Sequence, residues 1–297
     1  MPKNPNEIKS KTKRHQVKVQ NKVLKNREKH KLRRERKRIA AETGKPYVPE
    51  QMPVTIDEKR IAELDFVDKT DPIVQTEEQF DEFSGMFRGD RTAKVLITLK
   101  QDASAKIRPF IRDFMFMFPH GEFIERETKT VEELQNYAIE NDFTGILIFN
   151  DKDHEIVGLM HIHLPYGPTA YYRMSSCVCR KNIRNCGKPL TFPPEISVKN
   201  FSTRLGVRVG RMLRTLFPNA ERRDARQIVM VKNQRDYMFF RFHRYIFNTK
   251  EDVRIQELGP QFTLKLRWIS DGLFTPFKVY EWKYRKDNYT DRKRFFL

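Results

Sequence analysis

The chain has 297 residues, 38% apolar and 33% charged, which is room for one large domain or two small ones of roughly 100 to 200 residues each. Lysine and arginine outnumber aspartate and glutamate by 58 to 39, giving +19 and an isoelectric point near 9.8, a balance that draws a polyanion such as nucleic acid, an anionic membrane surface or an acidic protein. No apolar run approaches the ~18 residues of a membrane span and no secretory signal opens the chain, so a soluble nuclear or cytosolic protein is expected. Three clustered cysteines, Cys177, Cys179 and Cys186, make no disulfide framework and point to a reducing compartment.

In chain order, a basic arm comes first. Residues 1–38 hold 16 basic side chains against Glu7, Glu28 and Glu35. This arm, bounded at 1–49, has almost nothing to bury and is expected to be disordered or a fraying helix that tracks phosphates or directs nuclear import, with Lys31, Arg33, Arg34 and Lys37 at its basic centre. Residues 50–91 reverse the sign. Twelve acidic residues face Lys59, Arg60, Lys69 and Arg88 between positions 50 and 90, with prolines at 49, 53 and 72. A mostly flexible linker is expected, whose patches Ile61, Leu64, Phe66 and Phe80, Phe83, Phe87 can dock on a partner or on the main domain.

From residue 92 the pattern is that of a folded α/β domain extending to about 285, followed by a tail over 286–297. The run 94–99 predicts a buried strand, 103–117 a helix ending at Phe118-Pro119, and 122–125 a short strand. Thr130 and Glu133 predict a capped helix over 130–141. Strands are expected at 145–149 and 156–164 around a turn at Asn150–Asp153, giving mixed pairing. Residues 165–200 read as a connector. A second half repeats the plan with a helix over 202–216 ending at Phe217-Pro218 and strands at 227–231, 237–247 and 262–269, so two related α/β halves fused in one sheet are expected.

The helix over 202–216 places Leu205, Val209, Met212, Leu213 and Leu216 on one face and Arg204, Arg208, Arg211 and Arg214 on another. Four guanidiniums in a row repel unless an anion lies across them, which predicts an exposed stripe contacting phosphates; pairing with an acidic surface of the protein is the alternative. Substitution of these arginines is expected to leave stability nearly unchanged. Gly206 and Gly210 lack a phosphate-loop ending and predict close approach of the helix to a neighbour. Strand 237–247 alternates so that Tyr237, Phe239, Arg241, His243, Tyr245 and Phe247 share a side, where rings and cations could hold RNA or merely cover a sheet.

Several strings carry a family resemblance: Leu164-Pro165-Tyr166-Gly167-Pro168-Thr169-Ala170-Tyr171-Tyr172-Arg173-Met174-Ser175-Ser176, the segment Phe201–Pro218, Asn233-Gln234-Arg235-Asp236-Tyr237 and Glu257-Leu258-Gly259-Pro260-Gln261-Phe262-Thr263-Leu264-Lys265-Leu266. In this order they resemble the Brix-domain proteins of ribosome assembly, over roughly residues 92–285. The resemblance implies two anticodon-binding-domain-like halves and a non-catalytic factor that binds precursor rRNA of the large subunit within a pre-ribosomal particle of the nucleolus, beside a nucleolar partner of the Mak family and away from membranes. The candidate RNA contacts are then Arg204, Arg208, Arg211, Arg214, Arg235, Arg241, His243 and Arg244, together with Lys31, Arg33, Arg34 and Lys37. The loop 180–194 with its cysteines departs from the family pattern.

Enzyme readings are weaker. Asp151 and Asp153 could recruit a cation for a nuclease acting on precursor rRNA, yet an Asp-rich turn explains them more simply. Cys177, Cys179 and Cys186 could take a fourth zinc ligand from His161 or His163, but buried thiols are expected instead. No cofactor or metal is expected. A protein scaffold whose charge serves only import is the remaining alternative.

Overall fold

The computed structural model describes residues 10–44, 53–55, 58–59, 67, 72–218, 226–249, 252–277, 279–285 and 294–297. The chain divides into two units, Met1–Glu58 and Lys59–Leu297. The patch Ile61, Leu64, Phe66 and residues 286–293 of the expected tail lie outside the described residues.

The first unit is built on one helix, α1 (Lys11–Thr43), closed by Gly44 at φ 64°, whose N–H donates to the Ala40 carbonyl. Its Lys, Arg, Glu, Gln, Leu and Ala content favours the helix intrinsically, which explains a continuous helix where the sequence left disorder open. Val19, Val23, Leu24 and Leu32 are all exposed, so it presents no apolar stripe.

The second unit is a mixed α/β body around one large sheet. Its strands are β1 (Val95–Leu99), β2 (Glu122–Phe123), β3 (Gly145–Lys152), β4 (Glu155–His163), β5 (Thr169–Val178), β6 (Glu195–Lys199), β7 (Gln227–Gln234), β8 (Tyr237–Phe247), β9 (Val253–Glu257), β10 (Gln261–Ser270) and β11 (Tyr280–Lys283). Their order is β2-β1-β3-β4-β5-β10-β8-β7-β6, with β11 on β10 and β9 on β8. Pairs β1–β2, β1–β3 and β6–β7 are parallel and the others antiparallel. Residues 165–200 are therefore no connector: they contain β6 and also β5, which joins the halves by pairing β4 on one side and β10 on the other. Strand β5 buries Ala170, Tyr172 and Met174 at a period of two.

Among the described residues five α-helices complete this unit: α2 (Pro72–Phe80), α3 (Ser84–Arg88), α4 (Arg108–Met115), α5 (Val131–Glu140) and α6 (Arg204–Arg214). The expected helix over 103–117 starts as a 3-10 turn at Ala105–Ile107 before α4. Thr130 and Glu133 form the reciprocal capping box at the start of α5. Among the described residues no helix is long and apolar enough to cross a membrane.

The sheet has two different faces. One carries Ile97, Leu147, Phe149, Tyr172, Val229, Val231, Phe240, Phe242 and Leu264 in a single core with Phe110 and Phe114 of α4 and Val209, Met212 and Leu213 of α6. The Phe-Pro ends of α4 and α6 meet here, the Phe118 and Phe217 rings lying 4.9 Å apart. The opposite face carries a smaller cluster in which Leu96, Ile146, Ile148, Met160 and Ile162 pack with Ala138 of α5. Among the described residues that cluster takes none from β7 or β8 and, of the strands past β4, reaches only Tyr171 of β5 and Trp268 of β10, so the β7–β8 half of the second face is left unfilled by it.

The acidic stretch over 72–90 departs from the expected flexible connector. Phe83 is completely buried and its ring meets His163 edge-on at 5.1 Å; Met86 is buried beside it. Burying these side chains contributes on the order of 2 kcal/mol each, enough to seat the segment on the body.

Candidate nucleic-acid interface

The unfilled half of the second face is defined by strand register. On β8 the even residues Met238, Phe240 and Phe242 are buried, which turns Tyr237, Phe239, Arg241, His243 and Tyr245 to the other side, as the alternation predicts. Across the sheet, Lys232 pairs with Phe239, Met230 with Arg241 and Ile228 with His243 from β7. From β10, Thr263 sits opposite Phe239 and Ser175, and Lys265 opposite Arg173. The ammonium of Lys265 lies 4.5 Å from the Tyr237 ring centre and 5.0 Å from that of Tyr284, and the Arg267 guanidinium 5.2 Å from Tyr284. This surface thus joins Arg173, Lys232, Arg241, Lys265 and Arg267 to rings of Tyr237, Phe239 and Tyr284, and it remains half-buried or exposed.

Such a surface can stack unpaired bases on its rings while its cations neutralise phosphates. Arg241 keeps part of its charge internal, 3.9 Å from Glu257 and hydrogen-bonded to the Phe240 carbonyl at 2.7 Å. Burial lowers the pKa of His243, Glu257 opposing and Arg241 adding to the effect, which favours a neutral imidazole that offers hydrogen bonding rather than charge. Lys265, Arg267, Arg173 and Lys232 were missed by sequence reasoning. The signal for Lys265 and Arg267 was present in Phe262-Thr263-Leu264-Lys265-Leu266-Arg267, which alternates as β8 does.

Other expected contacts lie elsewhere. Arg244 is on the opposite side of β8 and donates to Gln256 at 2.8 Å. Arg235 occupies the β7–β8 turn at φ 54°, next to Asp236 at φ 64°. Lys31, Arg33, Arg34 and Lys37 are exposed or half-exposed on α1, in the first unit, where 14 cations meet Glu28, Glu35 and Glu42.

The arginine row of α6 is where expectation and structure part. The helix does turn Val209, Met212 and Leu213 inward, and its glycines do allow close approach, a Cβ on Gly206 falling 2.6 Å from the Leu297 carbonyl carbon. The arginines, however, face carboxylates of the protein. Arg211, only 12% exposed, binds Asp81 and Glu78, and Arg208 binds Glu82 at 2.8 Å and Glu281 at 2.7 Å. Burial works against the charge on Arg208, yet the hydrogen bonds and fields of Glu281 and Glu82 hold its pKa above the ordinary value. Arg204 is 66% exposed and 3.9 Å from Glu77; Arg214 lies over the Phe87 ring at 5.0 Å. The expected exposed stripe is thus corrected to a largely paired one, the second of the two outcomes its like charges allowed, because the acidic segment folds back onto it. Neutral substitution of Arg208 or Arg211 will therefore affect stability.

No cluster of three or more His, Cys, Asp or Glu side chains fit to hold a metal occurs among the described residues. Asp151 is engaged by Lys100 at 3.2 Å and by the Ser104 N–H, and Asp153 and His154 form the β3–β4 turn at positive φ. The cysteines are free and half-buried, burial pushing the Cys177 thiol up to about 12. The Cys186 thiol is directed to the Leu258 carbonyl at 3.1 Å.

Residues 100–268 match the Brix domain model. The chain belongs to the Brix-domain family. It is 37% identical over 294 residues to ribosome production factor 1 of Pongo abelii, covering 98% of this chain and 84% of that one. To ribosome production factor 1 of Saccharomyces cerevisiae it is 33% identical over 298 residues, covering 98% and 97%. The solved probable ribosomal biogenesis protein from Aeropyrum pernix K1 aligns at 13% identity and a TM-score of 0.45 over 58% of this chain and 96% of that one.

Proposed function

We propose that this protein is a non-catalytic ribosome assembly factor that binds precursor rRNA of the large subunit in the nucleolus. The names of its relatives support the assembly role, and the resemblance supports a nucleolar protein partner of the Mak type and two anticodon-binding-like halves. The observation that carries RNA binding is the unfilled sheet half, where five cations are interleaved with three aromatic rings. Single-stranded or looped RNA fits it, since stacking requires unpaired bases. The basic helix α1 supplies a second, sequence-independent contact. Arg204, Arg208 and Arg211 stay in the proposal only as contacts that RNA must win from carboxylates, and Arg214 as one that lies over the Phe87 ring.

Full-length Arg241→Gln/Lys265→Gln/Arg267→Gln tests this reading against a single-stranded fragment of precursor rRNA. Each phosphate contact removed lowers the slope of log affinity against log salt by about 0.7, so the triple variant should lose about two units while remaining folded. An unchanged slope would exclude this face.

A further inference from the structure

Helix α2 lies along α6 with its carboxylates on the arginine row. Glu77 meets Arg204, Glu78 meets Arg211, and the following Asp81 and Glu82 meet Arg211 and Arg208. The hold on Arg211 is a two-pronged one, the geometry by which a guanidinium also takes a phosphate. Between the helices runs a groove of about 200 Å³, lined by Val74, Glu77 and Glu78 on one side and Arg204, Val207 and Arg211 on the other.

The two parts of this acidic segment are fastened differently. Phe83 and Met86 are buried in the body, and the Phe87 ring lies under Arg211 and Arg214 at 4.5 and 5.0 Å. Among the described side chains of α2 none is buried so deeply: Phe80 is 81% exposed and Val74 half-buried, and nine residues are too few to sustain a helix unaided, while ahead of it Val67 is buried and its N–H donates to the Ser202 carbonyl at 2.9 Å. What holds α2 is chiefly charge, which salt and competing anions weaken.

We propose that α2 is a displaceable acidic cover, whose Glu77 and Glu78 occupy places that phosphates of an RNA strand take on Arg204 and Arg211. RNA lifts α2 away from α6 while the chain on either side, at Val67 and at Phe83–Arg88, stays seated. The cover raises the salt and sequence demands on binding, because an RNA must displace the protein's own anions before it gains these contacts. This rests on the reading of the protein as an RNA binder, and it adds a second surface on the other side of the sheet.

Two measurements on the full chain with a 20-nucleotide single-stranded RNA test it. Glu77→Gln/Glu78→Gln should bind about tenfold more tightly, the gain being set by the fraction of molecules whose cover is closed. In the unmodified chain, hydrogen exchange should show residues 72–80 losing protection when RNA is added while 83–88 keep theirs. Unchanged affinity in the double variant, or protection gained over 72–80, overturns the cover. Should the double variant fail to fold, the exchange result decides alone. Arg241→Gln/Lys265→Gln/Arg267→Gln separates the two ideas: if it loses RNA while the glutamate variant matches the unmodified chain, only the cover fails. If the unmodified chain binds no RNA, both fail.

Discussion

Arg211 grips Asp81 through two hydrogen bonds, Nε to one carboxylate oxygen at 2.5 Å and Nη2 to the other at 2.8 Å, across 130 residues of chain. Arg211→Gln leaves Asp81 with a poorer partner in a half-buried place and should lower stability by about 2 kcal/mol. Arg204→Gln, removing a long exposed pair, should not move the denaturation midpoint. Equal effects of the two substitutions in urea titrations would contradict this ranking.

Two buried histidines set an acid limit. Burial pushes His161 down to about 3, with His163 adding to it, and burial pushes His163 down to about 4, the Glu82 backbone and Asp81 opposing and Arg91 assisting. Both folded values lie below the unfolded value of about 6.5, so the unfolded chain binds protons that the folded one refuses as pH falls through that window. Stability is therefore fully present above about pH 7 and should fall below pH 6.5 by up to ~1.4 kcal/mol per pH unit per histidine. His161→Leu should roughly halve that slope in denaturation experiments at pH 7, 6 and 5. Among the described residues the ring nitrogens of His161 meet no hydrogen-bond partner, so leucine strands no polar group there.

The end of the chain is held at the start of α6. Asn233 donates to the Leu297 carbonyl, the Phe296 and Leu297 N–H groups donate to Asp236, and Thr203 donates to the Phe296 carbonyl. Gly206→Ala gains helix propensity but puts a methyl against the Leu297 backbone, and the overpacking should win by about 1–2 kcal/mol. Amide exchange at 295–297 should rise with it; unaltered protection would mean that α6 shifts instead.

Lys31, Arg33, Arg34 and Lys37 sit on a helix that buries no apolar face. Replacing all four with glutamine should leave the main unfolding transition in place and weaken RNA binding with a shallower salt dependence. A lowered melting temperature would show that α1 packs on something it needs.

Much of the sheet was legible because β1 and β3, buried on both faces, read as continuous apolar runs, while β8 shows burial at a period of two at Phe240 and Phe242. Thr130 with Glu133 announces α5 through two local hydrogen bonds. Strand β9 was not legible, since Val253, Arg254 and Ile255 are exposed and no face of it is buried. Strand β5 was obscured by Pro165, Gly167 and Pro168 before it, although Ala170, Tyr172 and Met174 alternate correctly. The partners of the α6 arginines were out of reach for a different reason. Charge pairing acts through space, and a helical wheel drawn on 204–214 contains nothing about Glu78 or Asp81.

The pairing of β5 with both β4 and β10 has a consequence for synthesis. During translation Thr169–Val178 emerges, folds against β4 and then waits, its other edge bare, until Gln261–Ser270 leaves the ribosome. An unpaired edge beside Tyr172 and Met174 is a surface on which nascent chains stick together. A stalled or truncated product that ends before residue 261 should therefore be aggregation-prone rather than a stable half, and the living cell has reason to guard this chain until Gln261–Ser270 is made.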